Sequence, residues 1–151
     1  MAKKQPKIKS IEETLWESAN KLRGSVEPSE YKHVVLSLIF LKYANDRFDE
    51  RRNELIAEGK GAFVDQAVFY NAKNVFYIEE QSRWSFIMEN AKQNDIAIKI
   101  DKALSAIEDS NPSLKGALPS NYYSGLGLDR AKLAALLDEI NKIDTLKDPE
   151  N

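Results

Sequence analysis

Few reactive side chains in this sequence sit at spacings that chemistry can use. His33 is the sole histidine and there is no cysteine in 151 residues. That excludes, within the chain, a disulfide, a zinc–thiolate or multi-His zinc site, a thiol nucleophile and an iron–sulfur cluster. Glu30-x-x-His33 has the spacing of half a carboxylate-bridged di-iron site in a helix bundle, but such a site needs a second pair and two further glutamates. Asn111-Pro112-Ser113-Leu114 begins like the Asn-Pro-Pro-aromatic motif of amino-methylating DNA enzymes, where the aromatic stacks on a flipped base. Ser113 and Leu114 stand where that motif needs proline and the aromatic, so the segment reads as a helix stop. Gly125-Leu126-Gly127-Leu128 lacks the preceding strand, third glycine and βαβ unit of a dinucleotide loop, and reads as a turn. Glu12-Glu13 and Glu79-Glu80 read as solvated faces or helix starts. No catalytic, cofactor-binding or metal-ligating residue is assigned.

Contact with a polyanion asks for less, since it needs only placed cations. Lys3, Lys4, Lys7 and Lys9 crowd the first nine residues and form a basic arm; the plainer reading is a solvated tail. Lys32 and Lys42 flank the most apolar stretch of the chain, and Arg47, Arg51 and Arg52 follow it. These nine are the candidate DNA contacts. The alternative for the arginines is a surface ion-pair lattice, because Asp46, Asp49 and Glu50 are interleaved with them. The whole chain has 22 Lys+Arg against 24 Asp+Glu, a net charge of −2. That balance argues against a general nucleic-acid coat but leaves room for a local patch.

The elements that must carry these residues are helical. Ser10 and Glu13 make a capping box for a helix over Ile11–Arg23, with Ile11, Leu15, Ala19 and Leu22 on one face and Gly24 as its stop. Pro28 and Ser29 open the next helix, with Glu30 at its positive end, and it runs to about Gly59 or Gly61. From Val34 to Leu41 it is apolar nearly all round, so this helix should be central. Beyond Tyr43 the alternating charges suggest that it leaves the core and runs along solvent. Ala62–Asn74 is ambiguous, with one short helix around Phe63–Tyr70. Val75-Phe76-Tyr77-Ile78 is β-like, but a lone strand makes no sheet, so it should be extended chain packed on helices. Short helical character returns at Trp84–Met88. Asn94-Asp95 should cap a helix burying Ile96, Ile100, Ala103, Leu104 and Ile107. Asp129 should cap the last helix, with Leu133, Leu136, Leu137, Ile140 and Ile143 as its stripe. The class is all-α: a compact multi-helix domain with one central, largely buried helix and a short extended segment. Residues 1–9 are the arm, 10–145 the domain, and 146–151 a linker or cut end. The longest apolar run, Val34–Leu41, is far below the ~20 residues of a membrane span. No apolar stretch follows the basic N-terminus as an export signal requires. The expected location is cytoplasmic.

Several of these segments together resemble a known family. Glu13-Thr14-Leu15-Trp16, Ala19-Asn20-Lys21-Leu22-Arg23-Gly24 and the block from Ser29 to Tyr43 are similar to the N-terminal helical domain of the modification (methyltransferase) subunit of type I restriction–modification systems. Val75–Ile78 leading to Arg83-Trp84, Asn111–Gly116 and the Leu133–Ile143 stripe extend the likeness over Ile11–Ile143. Ile78-Glu79-Glu80 departs from it, since a proline often precedes the acids there. The resemblance implies a domain that helps engage double-stranded DNA and assemble a complex. In that family a neighbouring catalytic domain binds S-adenosylmethionine and methylates adenine N6. The implied partners are a specificity subunit, a second methyltransferase subunit and a motor–nuclease subunit, with no membrane. The family's catalytic residues do not transfer to this chain. It is then one domain of a longer polypeptide, or a natural truncation. The rival expectation is a standalone helical protein-interaction module with no DNA role.

Overall fold

The computed structural model describes residues 30–146. The arm at Lys3, Lys4, Lys7 and Lys9, the expected helix over Ile11–Arg23 with its capping box, and the residues after Leu146 lie outside that range. The described residues hold five α-helices, α1 (Tyr31–Ala57), α2 (Val68–Asn71), α3 (Trp84–Glu89), α4 (Ile96–Ser110) and α5 (Arg130–Asn141). Short 3-10 turns at Gly61–Phe63, Glu80–Ser82 and Pro112–Leu114 join them. No strand occurs among the described residues.

At 27 residues, α1 is about 40 Å long and is the axis of the fold. Val34, Val35, Leu38, Ile39 and Leu41 are buried on it. It ends at Gly59, whose φ of 79° is a left-handed value that suits glycine. There Lys60 N donates to Leu55 O at 2.7 Å, which satisfies a carbonyl the helix would otherwise orphan. The second half of α1 does not leave the core, contrary to the reading of its charges. Ala44, Asn45, Phe48, Arg51 and Leu55 are buried at three- and four-residue spacing. The ring of Phe48 explains this. It stacks on Tyr70 with centroids 4.7 Å apart, meets Tyr77 edge-on at 5.6 Å, and lies under the Arg83 guanidinium at 4.8 Å. Those partners come from the 63–83 segment, whose position the local pattern does not reveal. The helix is not buried all round in its apolar stretch either: Leu36 is 49% exposed.

α5 packs against α1, and α3 bridges α1 and α4. The five expected core positions of α4 and the five of the final stripe are buried. Asp129 caps α5 by accepting Lys132 N at 3.0 Å. Asp95 stands at the start of α4 but does not cap it. Its carboxylate takes the Lys99 ammonium at 3.0 Å instead. The ambiguous 62–74 region resolves into a 3-10 turn and the short α2 rather than one helix. Val75–Ile78 is extended, with Val75 and Ile78 buried on the helices.

Candidate nucleic-acid interface

The long solvent face of α1 is where the candidate cations gather. At 100° per residue, Lys32, Leu36, Tyr43, Arg47, Glu50 and Glu54 fall within an arc of about 60°. All are exposed except Arg47, which is half-exposed. Lys32 and Arg47 stand about 22 Å apart along it, at 1.5 Å per residue. No carboxylate among the described residues is within ion-pair distance of Lys32. Arg47 reaches Glu50 at 2.7 Å, an exposed pair.

Two of the nine candidates are built into the interior instead. Lys42 is 8% exposed, and its ammonium donates to Asp46 at 2.6 Å and to the Ile143 carbonyl at 3.0 Å. Thr145 Oγ1 donates to the same Asp46 oxygen at 2.7 Å, so this group ties the end of the described chain to α1. Arg51 is 6% exposed, its Nε on Phe69 O at 3.0 Å and its Nη1 on Glu54 at 3.1 Å. They stand on opposite flanks of α1, 180° apart at 100° per residue, and each is turned onto a backbone carbonyl of a distant segment, so both charges serve the fold. Arg52 is half-buried, and its Nε has no hydrogen-bond partner among the described residues. The four arm lysines lie outside the described residues.

The motifs set aside on spacing have structural employment. Asn111 is buried with its amide saturated. Its Oδ1 accepts from Asn71 Nδ2 at 3.0 Å and Tyr77 N at 2.8 Å, and its Nδ2 donates to Tyr77 O at 2.9 Å and Ile107 O at 2.8 Å. No donor or acceptor of that side chain is left for a base. The Glu30 carboxylate accepts the Tyr122 hydroxyl, while His33 is exposed. Among the described residues no group of His, Asp and Glu has the arrangement of a metal site. Asp101 is a buried carboxylate satisfied by backbone: Tyr123 N at 2.8 Å and Ser124 N at 2.9 Å donate to it. The Tyr123 hydroxyl donates to Val34 O at 2.5 Å. Burial pushes both Tyr122 and Tyr123 well above the usual phenol range, and the Glu30 carboxylate adds to this at Tyr122. Asp49 is raised as well, by desolvation first and then by the Asp46 charge.

Lys73 is a cation that residue types alone did not single out. It stands exposed in the turn after α2, beside Asn74 at φ 60°, with no carboxylate among the described residues in ion-pair range. The run Asn71-Ala72-Lys73-Asn74 carries a turn signal. Its neighbourhood to Arg47 depends on tertiary packing. No helix among the described residues is long and apolar enough to cross a membrane.

The family model described as the HsdM N-terminal domain matches residues 11–142. The type I restriction enzyme MjaIX methylase subunit of Methanocaldococcus jannaschii is 31% identical over 148 residues, covering 88% of this chain and 26% of that protein. The chain therefore spans about a quarter of the length of that relative.

Proposed function

Because the chain belongs to the HsdM N-terminal domain family, we propose that it serves as the noncatalytic helical domain of an adenine-N6 DNA methyltransferase subunit in a type I restriction–modification complex. The match over residues 11–142 carries this reading. Its task is to help hold double-stranded DNA and to contribute to assembly with a specificity subunit, a second methyltransferase subunit and a motor–nuclease subunit, in the cytoplasm. The outward cations Lys32 and Arg47, with Arg52 and the four arm lysines, are the proposed phosphate contacts. S-adenosylmethionine belongs to the remainder of the parent subunit. The Gly125–Gly127 turn follows no strand among the described residues and leads into the Asp129-capped α5, unlike the strand–turn–helix of a dinucleotide loop. In this reading the chain's contribution is binding and positioning.

Calorimetry with S-adenosylmethionine tests the division of labour. The 151-residue chain is expected to give no binding heat and to transfer no methyl group to duplex DNA; tight cofactor binding by it contradicts the proposal. A second reading rests on Leu36 and Tyr43, 49% and 43% exposed within the same stripe of α1, which suit a protein interface. Complete indifference to duplex DNA favours that reading.

A further inference from the structure

Four concavities of the described surface differ in charge. One lined by Lys42, Asp46, Asp49, Glu50 and Asp144 is strongly negative, and one lined by Glu80, Arg83 and Glu89 carries a single net negative charge. A third sets Lys42 and Arg83 against Asp46 and Asp49 and is neutral. The fourth, about 230 Å³, lies between the second half of α1 and the turn after α2. Its lining is Arg47, Glu50, Arg51, Glu54, Lys73 and Val75, three cations against two carboxylates. On a chain of net charge −2, this is the one of the four whose field suits an anion.

We propose that this concavity seats a backbone phosphate of duplex DNA, gripped by Arg47 and Lys73 and gated by Glu50; the proposal rests on the DNA reading above. Its back wall is fixed. Arg51 is buried and held on Phe69 O. The Lys73 turn is pinned where Lys73 N and Val75 N both donate to Tyr70 O at 2.9 Å, and where Asn71 Nδ2 donates to Val75 O at 3.0 Å. The grip is available, because among the described residues no carboxylate lies within ion-pair distance of Lys73 and Arg47 commits one Nη to Glu50. A guanidinium has five N–H donors, so Arg47 retains others for phosphate oxygens. Glu50 competes with an incoming phosphate for Arg47, and an exposed pair of this kind is weak enough to be displaced.

Salt-titrated binding of the 151-residue chain to a nonspecific duplex tests this, with Lys102→Ala, an exposed lysine of α4, as control. Lys73→Ala and Arg47→Ala should each weaken binding and reduce the magnitude of the log–log salt slope by about 0.9, the value for one phosphate contact. Glu50→Gln should tighten binding by about threefold, within the range an exposed ion pair is worth, a gain that damage to the fold does not mimic. If the parent chain binds duplex but Lys73→Ala and Arg47→Ala behave like Lys102→Ala, or if Glu50→Gln leaves affinity unchanged, the phosphate seat is wrong and the DNA reading stands. If the parent chain ignores duplex even at low salt, the DNA reading fails and the seat falls with it.

Discussion

Asn111 illustrates how much a single side chain can hold in this domain. Its amide joins the end of α4 to the extended Val75–Ile78 segment and to α2 through four hydrogen bonds. Asn111→Ala leaves buried donors and acceptors without partners and should cost about 3 kcal/mol. Urea unfolding checks this, and a loss below about 1 kcal/mol would show that those groups find other partners. That Asn111-Pro112 ends a helix was legible from residue types. The four bonds were not, because three of them go to residues 34 to 40 positions away. Tyr123 carries the pH dependence at this scale. Its folded pKa is raised, so below the ordinary phenol value of about 10 both states keep the proton and its contribution is complete. Above that pH the unfolded chain ionises first, and stability falls as pH rises. Tyr123→Phe lacks the bond to Val34 O and should be less stable at pH 7 by about 1 kcal/mol. It should also lose stability less steeply than the parent between pH 10 and 11. Parallel curves in that window would remove Tyr123 from the alkaline response.

Helix α1 separates what periodicity reveals from what packing decides. Its stop at Gly59 and its central place followed from glycine and the Val34–Leu41 run, while Pro28 and Ser29, expected to open it, lie outside the described residues. The fate of its second half did not, since Phe48 stands among charges and its partners Tyr70, Tyr77 and Arg83 lie at least 22 residues away. Phe48→Ala should cost about 3–5 kcal/mol, as expected for a fully buried ring. Leu36→Ala, on the solvent stripe, should stay within about 0.5 kcal/mol. Chemical denaturation of the two variants side by side checks the orientation of the helix. Equal losses would mean that the stripe is covered or that Phe48 is not. Lys42 and Arg51 left the candidate set because each meets a carbonyl of a distant segment, Ile143 O and Phe69 O, while Arg47 stayed. A charge pattern read along the chain does not show which cations meet a backbone carbonyl of a distant segment.

At the scale of the whole molecule, the helical class, the last two long helices and the family were legible, because caps, stripes and the Tyr31–Tyr43 block are local. The candidate interface was legible only in part. Lys32 and Arg47 face outward as DNA contact requires, whereas Lys73 joins Arg47 through the fold of the 61–75 segment, which carries little periodic pattern. A nearly neutral domain with a few outward cations should hold DNA loosely, with a dissociation constant of roughly 10⁻⁴–10⁻⁶ M at physiological salt, the range of non-specific binding. The most direct measurement is the affinity of the 151-residue chain for a duplex across a salt series. The account predicts weak binding whose logarithm falls linearly with log salt, at a slope steeper than about −1.8, the value for two phosphate contacts. No binding at low salt, or an affinity that salt does not change, would contradict it.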